Sequence, residues 1–371
     1  MTVNRIDSRL DSCSIAAADT KWINARASVF SLHGVIYDET EGTYMRIPKK
    51  VAESLNSKIT ALSHHTSGGR IRFLTDSPVV AVRASLPAYQ PITNMSIAAT
   101  HGFSLYVDGK FEHRFSPKFD AFLRGQDFSS PLTSRICYED AHNLFNYDAS
   151  LKLCEIYFPL YGGVADIEIG VKDGATIEKA PDYKIKKPVV FYGSSITQGA
   201  CASRPGNDYL SILSRKLDCD YINLGFSGNG NAEDEIIDYM CSIDASLYAY
   251  DYNLYDSRPH RILPPHYSVY KRIRKARPNV PILFYDKPFY DLDTTYERRR
   301  NIIKESYLTA KDEGDELVGN VEAEKLFGNE DRDCCAADGS QPNDLGALRM
   351  AYAFLPIVSD LIKKSNVCFE C

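Results

Sequence analysis

No long basic run occurs in this chain. Its net charge of −6 is spread along 371 residues, which argues against a nucleic-acid partner. Nor is there a run of about 18 apolar residues, the length that a membrane-crossing helix needs. Met1 to Trp22 lacks a basic start followed by an apolar stretch, so the expectation is a cytoplasmic protein with no membrane partner. Neither a Walker lysine nor Gly-x-Gly-x-x-Gly is present, which removes the common phosphate-cradling signatures.

Ten cysteines are too few for a disulfide scaffold in a chain this long. Cys334-Cys335 and Cys368-Phe369-Glu370-Cys371 together offer four thiolates, but vicinal cysteines serve one metal badly and a terminus frays. Free thiols are the expectation. His64 and His65 are adjacent, so on a strand their side chains point apart, and nothing in the sequence completes a cluster around them. No metal and no cofactor are expected.

What the chain does contain is an ordinary soluble composition, 44% apolar and 25% charged, in a length that implies two domains. From about Ala25 to Ile177 it reads as β. Arg70–Leu74 and Val79–Arg83 flank a Thr-Asp-Ser-Pro turn, and Phe103–Val107 and Phe111–Phe115 flank Asp108-Gly109, a strong hairpin signal. Ile156–Phe158 and Ala165–Val171 lie on either side of Leu160-Tyr161-Gly162-Gly163. Many short strands imply an all-β sandwich of jelly-roll type, with one short helix at Leu55–Leu62.

After Lys187 the period changes. Strand-like Val189–Tyr192, Tyr221–Leu224, Leu247–Tyr252 and Ile282–Tyr285 alternate with helical Asp208–Leu217, Ala232–Ile243, His266–Ala276, Tyr296–Lys311 and Asp344–Lys363. That alternation predicts an α/β domain, a parallel sheet covered by helices on both faces, with ligands beyond the C-terminal strand ends. The expected organisation is an N-terminal segment 1–24, a β-sandwich 25–180, an α/β domain 185–365 and a tail 366–371.

Four loops of the second half carry chemistry. Val189 to Tyr192 runs into Gly193-Ser194-Ser195-Ile196-Thr197-Gln198-Gly199, a buried strand that presents a serine at the sheet rim. Gly225-Phe226-Ser227-Gly228-Asn229-Gly230 follows the next strand, and its backbone N–H groups suit a developing oxyanion. Asp251-Tyr252-Asn253 ends the third strand, where the Asn253 amide is either a further donor or a turn cap. Asp338-Gly339-Ser340-Gln341-Pro342-Asn343-Asp344-Leu345-Gly346 precedes the last helix, with Asn343 or Asp344 as its N-cap.

In this order the Gly-x-Ser, Gly, Asn and Asp-Gly-x-x-Pro-x-Asp-x-Gly blocks resemble the SGNH (GDSL-type) hydrolase superfamily. The run Phe191 to Gly199, followed by Cys201-Ala202-Ser203-Arg204-Pro205-Gly206, is more closely similar to bacterial two-domain members with an N-terminal β-sandwich domain. In those proteins the Leu160–Val164 region belongs to the extra domain. The resemblance implies a three-layer α/β/α fold and hydrolysis of carboxylic esters, often acetyl groups on carbohydrates. Carried over by position, Ser195 is the nucleophile and its N–H an oxyanion donor. Gly228 and Asn253 complete the oxyanion hole, and Asp338 orients the base.

The base itself is missing. The family pattern Asp-x-x-His has Gln341 in the histidine position. A glutamine amide does not titrate near neutral pH, so it cannot take the serine proton or return it to the leaving alcohol. Six histidines (His33, His64, His65, His101, His113, His142) lie in the β half, while His260 and His266 follow Asn253 and are the candidate substitute bases. Gln341 leaves three readings open: a residue introduced to trap a bound ester, a pseudoenzyme that binds an acylated or glycosidic ligand, or a relocated base. The expected partner is a small ester or an acylated carbohydrate. A non-catalytic binding protein and an acyltransferase that uses a sugar hydroxyl in place of water are the alternatives. Oligomeric state is not legible.

Overall fold

The computed structural model describes residues 19–87, 92–118, 135–144, 147–252, 266–292 and 294–365. The chain divides into two compact units, one of Met1–Met45 with His64–Pro181 and the other of Arg46–Ser63 with Asp182–Cys371. The sequence reading put all of 25–180 in the sandwich. Instead Arg46–Ser63, with the short helices α1 (Lys49–Ser54) and α2 (Ser57–Ser63), belongs to the second unit. The anchor is the buried Arg46, whose guanidinium bonds to the carbonyls of Leu62 and Gly225.

The first unit holds two larger antiparallel sheets packed as a sandwich and a separate two-stranded antiparallel pair, β3 with β4. Its strands are β1 (Thr20–Asn24), β2 (Ser31–His33), β3 (Ile36–Asp38), β4 (Thr43–Met45), β5 (Arg70–Thr75) and β6 (Val79–Pro87). After α3 (Ile97–His101) come β7 (Phe103–Val107), β8 (Lys110–Phe115), β9 (Arg135–Asn143), β10 (Lys152–Tyr157), β11 (Asp166–Lys172) and β12 (Ile177–Lys179). One sheet runs β1-β11-β6-β9 and the other β12-β5-β10-β7-β8, with β2 also on β5. The core forms because each strand alternates. Val80, Val82, Ala84 and Leu86 of β6 and Ile167, Ile169 and Val171 of β11 meet Ile71, Phe73 and Leu105 of the other sheet. On the other face, Val79, Ala81 and Ala141 pack with Trp22, and Arg83 pairs with Glu139 and Glu168 while its guanidinium covers Trp22 at 4.1 Å.

The second unit is built on a five-stranded parallel sheet of β13 (Ile185–Gly193), β14 (Cys219–Gly225), β15 (Leu247–Tyr250), β16 (Ile282–Tyr285) and β17 (Val318–Val321). The spatial order is β14-β13-β15-β16-β17, so the winding reverses at β13. Such a reversal opens a crevice at the C-terminal end of the strands beside it. Helices α4 (Ser195–Gln198), α5 (Tyr209–Leu217), α6 (Asp234–Ser242), α7 (His266–Ala276), α8 (Glu297–Asp312), α9 (Ala323–Leu326) and α10 (Asp344–Lys364) complete the layers.

α10 is long and apolar enough to cross a membrane, yet its Ala347, Met350, Phe354, Val358 and Leu361 are buried in the core against α5 and the sheet. Phe354 stacks on Tyr209 at 5.4 Å and meets Phe191 and Tyr285 edge-on at 5.7 and 5.2 Å. The buried residues form the core-facing side of an amphipathic helix, while Leu345, Leu348 and Tyr352 are exposed.

Candidate active site

β13 ends at Gly193 because no other residue fits there. A Cβ would stand 2.3 Å from Thr197 Oγ1 and 2.9 Å from the Asp251 carbonyl oxygen. The chain then turns at once into the single turn α4, with the half-buried Ser195 at its start and Gly199 at φ 99° closing it. Side chains beneath fix this turn. Thr197 Oγ1 lies 3.0 Å from the Tyr285 hydroxyl and accepts from Tyr209 at 3.2 Å, and its carbonyl accepts from Asn223 Nδ2 at 2.8 Å. Ser194, at the N-cap position, has a buried Oγ with no hydrogen-bond partner among the described residues.

The Gly225–Gly230 loop is bonded to that turn. Phe226 N–H donates to the Gly193 carbonyl at 2.9 Å, and Ser227 N–H donates to the fully buried Gln198 Oε1 at 3.0 Å. Contact is close enough that a Cβ on Gly225 would lie 2.2 Å from Gln198 N. Asn229 N–H donates to Phe226 O at 2.9 Å, which leaves Gly228 at the exposed tip with φ 66°. Arg46 holds the base of this loop from the helical excursion. It donates to the carbonyls of Gly225 and Asn223 and places its guanidinium 4.7 Å over the Phe226 ring. The sequence reading missed Arg46, Gln198 and Asn223 as parts of the site. A polar Asn223 inside an otherwise apolar strand was the signal for one of them.

The loop before α10 forms a tight carboxylate-capped turn. Asp338 Oδ1 accepts the N–H groups of Ser340 and Gln341 at 3.1 and 2.8 Å, and Ala337 N–H donates to the Gln341 carbonyl at 2.9 Å. Asn343 is the N-cap, accepting from Leu345 and Gly346. Asp344 has a different role: it accepts Ser203 N–H at 2.8 Å and so ties this loop to the segment after α4. Cys201 lies on that same segment with φ 65°. Burial, with the Asp338 carboxylate adding to it, pushes its thiol up to about 11, which keeps it protonated and inert as a nucleophile. Gln341 Oε1 is buried and has no hydrogen-bond partner among the described residues.

The Ser195 turn is therefore bonded to the Gly225–Gly230 loop, and the loop before α10 is tied through Asp344 to the segment that follows α4. Asn253 and His260 lie outside the described residues. His266 starts α7, fully buried, with its ring stacked on Tyr250 and Tyr252 at 4.5 and 5.0 Å. Burial, with Arg299 nearby, depresses its proton affinity well below the ordinary histidine range, and neither ring nitrogen has a hydrogen-bond partner among the described residues. A histidine so enclosed is a poor proton acceptor.

A buried charge cluster, also missed from the sequence, sits at the same strand ends. Arg299 donates to the Asp251 carboxylate and, at 2.7 Å, to the Tyr252 carbonyl, and its Nε lies 3.6 Å from Asp286. Lys287 Nζ is 3.9 Å from Asp251. Burial pushes Asp286 up to about 6 and Lys287 down to about 8. Among the described residues no group of three or more His, Cys, Asp or Glu side chains is arranged to hold a metal ion.

Comparison with known proteins matches both halves. Residues 186–359 match the GDSL-like Lipase/Acylhydrolase family, and residues 20–177 match the GxDLY family, described as the N-terminus of the SGNH-hydrolase type of esterase. A solved structure of a suggested GDSL-like lipase from Bacteroides ovatus is similar at 26% identity and a TM-score of 0.74, covering 93% of this chain and 98% of that one. The salicylyl-acyltransferase SsfX3 of a tetracycline biosynthetic pathway shares the fold at 19% identity and a TM-score of 0.72, with the same coverage of 93% and 98%. An active-site mutant of a family two carbohydrate esterase from Clostridium thermocellum shares it at 14% identity and a TM-score of 0.56, covering 89% and 98%. No curated protein is significantly similar to the chain.

Proposed function

We propose that this chain, which belongs to the SGNH (GDSL-type) hydrolase superfamily as a two-domain member, is a serine ester hydrolase scaffold for small acyl esters of carbohydrates. One observation carries the reading. The turn that bears Ser195 is bonded to the Gly228 loop through Phe226 N–H and Gly193 O, at the point where the sheet reverses its winding. In this reading the Ser195 hydroxyl attacks the acyl carbonyl. The oxyanion is received by the N–H groups of Ser195 and Gly228 and the Asn253 amide, and water releases the acyl group. Asp338 supports the residue at 341.

Both steps need a proton acceptor, and Gln341 is not one. That residue favours a second reading: the same cleft binds an acylated carbohydrate and turns it over slowly or not at all. Hydrolysis of p-nitrophenyl acetate by the chain and by Ser195→Ala separates the two. Turnover that Ser195→Ala abolishes supports the hydrolase. Equal rates from both proteins remove Ser195 as nucleophile.

A further inference from the structure

A cleft of about 500 Å³ opens beside the Asp338–Gln341 turn. The segment after β16 forms one wall with Phe289, Tyr290, Leu292 and Tyr296, while Gly339 and Ser340 contribute to the other. The two walls are clamped together. Arg332 makes a two-pronged pair with Asp291 at 2.7 and 2.6 Å and lies 5.7 Å over the Phe289 ring. Tyr290 and Tyr296 stack face to face with centroids 3.8 Å apart. Phe289 holds φ 67° with its ring edge-on to Phe327 at 5.0 Å, a backbone state that persists only where packing enforces it. Leu292 is 66% exposed, an apolar residue in the wall of an open cleft.

The lining chemistry limits the occupant. Among the described residues that line the cleft there is no lysine or arginine, and the one charged group is the Asp333 carboxylate. Aromatic rings receive the C–H face of a saturated ring, and a carboxylate with a serine hydroxyl receives adjacent hydroxyl groups. A pyranose ring has both features, whereas an unsubstituted aryl group gives Asp333 no donor. Gly339 and Ser340 stand between Asp338 and Gln341, so a ligand in this cleft abuts the catalytic positions.

We infer that this cleft is the subsite for the pyranose ring of the alcohol half of the ester, seated on the aromatic wall with its hydroxyls toward Asp333 and Ser340. The assignment to an ester rests on the function proposed above; the sugar site itself needs no turnover.

The test is calorimetric titration of cellobiose, xylobiose and mannobiose into the Ser195→Ala chain, alone and with Tyr296→Ala, Tyr296→Phe, Asp333→Asn or Leu292→Asp added. At least one disaccharide is expected to bind. Tyr296→Ala, Asp333→Asn and Leu292→Asp should each weaken it by about tenfold, while Tyr296→Phe keeps it. If Tyr296→Ala does not fold, Leu292→Asp, on an exposed residue, decides. Absence of binding by all three sugars, or binding untouched by these changes, overturns the inference. Ser195-dependent turnover of p-nitrophenyl acetate without sugar binding leaves the hydrolase standing and removes the subsite. Sugar binding without turnover does the reverse.

Discussion

Asp338 Oδ1 accepts the backbone N–H of Gln341 at 2.8 Å; in the function proposed above, this carboxylate is the group that orients a base, folded around the position where the family pattern has histidine. A histidine at 341 would therefore enter a turn built for it. Gln341→His is expected to raise Ser195-dependent hydrolysis by about 10²–10⁴-fold, the range that a positioned general base contributes. The rate should rise with pH, because only neutral imidazole accepts the serine proton. Its midpoint should lie above the ordinary histidine value of about 6.5, since a nearby carboxylate favours the charged ring. A pH–rate profile checks this, and Asp338→Asn in the same background should lower both the midpoint and the rate.

Arg46 is the second control point. Its bonds to the Gly225, Asn223 and Leu62 carbonyls close the base of the Gly228 loop. Hydrogen bonds from a charged donor contribute about 1.5–3 kcal/mol each, and Arg46→Ala also exposes carbonyls that have no other partner of that charge. The expected cost is about 3 kcal/mol in urea unfolding, with faster amide exchange at Phe226 and Ser227. Arg46→Lys can reach only part of this fork and should recover less than half. Unchanged exchange at Phe226 would separate Arg46 from the loop.

Ile282–Tyr285 and His266–Ala276 were readable to the residue, because an apolar run and a 3.6-residue period identify themselves locally. Val318–Val321 was missed, since Gly319 and Asn320 interrupt its apolar run at the sheet edge. β9 was hidden by its charged residues, Arg135 and Glu139 exposed and Asp140 buried, which break up its apolar pattern. The third strand was read through Tyr252 but ends at Tyr250, where Asp251 N–H turns to bond the Tyr192 carbonyl. Ser195, Gly228 and Asp338–Gln341 lie in short turns that local motifs announce, and the roles proposed for them rest on those motifs. Arg46 lies 179 residues from Gly225, and no local pattern announces such a contact.

His101 supplies a pH prediction for the β-sandwich unit. Burial depresses its pKa from 6.5 to about 4. With the folded value below the unfolded one, its contribution is fully present above pH 6.5 and is lost as pH falls through 4. The shift corresponds to about 3 kcal/mol of stability lost on acidification. Trp22 is the only tryptophan in the sequence and lies in this unit, so its fluorescence follows that unfolding alone. His101→Asn should be the less stable protein at pH 7, and its deficit should shrink by about that amount between pH 6.5 and 4. Parallel curves for the two proteins would remove His101 from the acid response.

Arg299 makes the strongest stability prediction. Its guanidinium is 1% exposed and faces two carboxylates that are themselves buried, Asp251 and Asp286. Removing it in Arg299→Met leaves those charges with Lys287, itself weakened as a cation by burial, and with the weaker influence of Arg300 on Asp286. Breaking a buried pair from one side costs about 3–5 kcal/mol, more than the deletion of its carbon chain explains. The sign with pH follows from Asp286, raised from 3.8 to about 6 even with Arg299 present. A raised folded value means stability that is present below the unfolded value and lost as pH rises through the folded one. Without the guanidinium the carboxyl rises further, so the deficit of Arg299→Met should be greatest near pH 8 and diminish toward pH 5. Adding Asp251→Asn should restore part of the loss, because the double variant buries one charge fewer. The same guanidinium fixes the Tyr252 carbonyl one residue before Asn253, so the single variant should lose hydrolysis in Gln341→His even at temperatures where it remains folded. Full activity there would show that the cluster holds the sheet together without bearing on the oxyanion role proposed for Asn253.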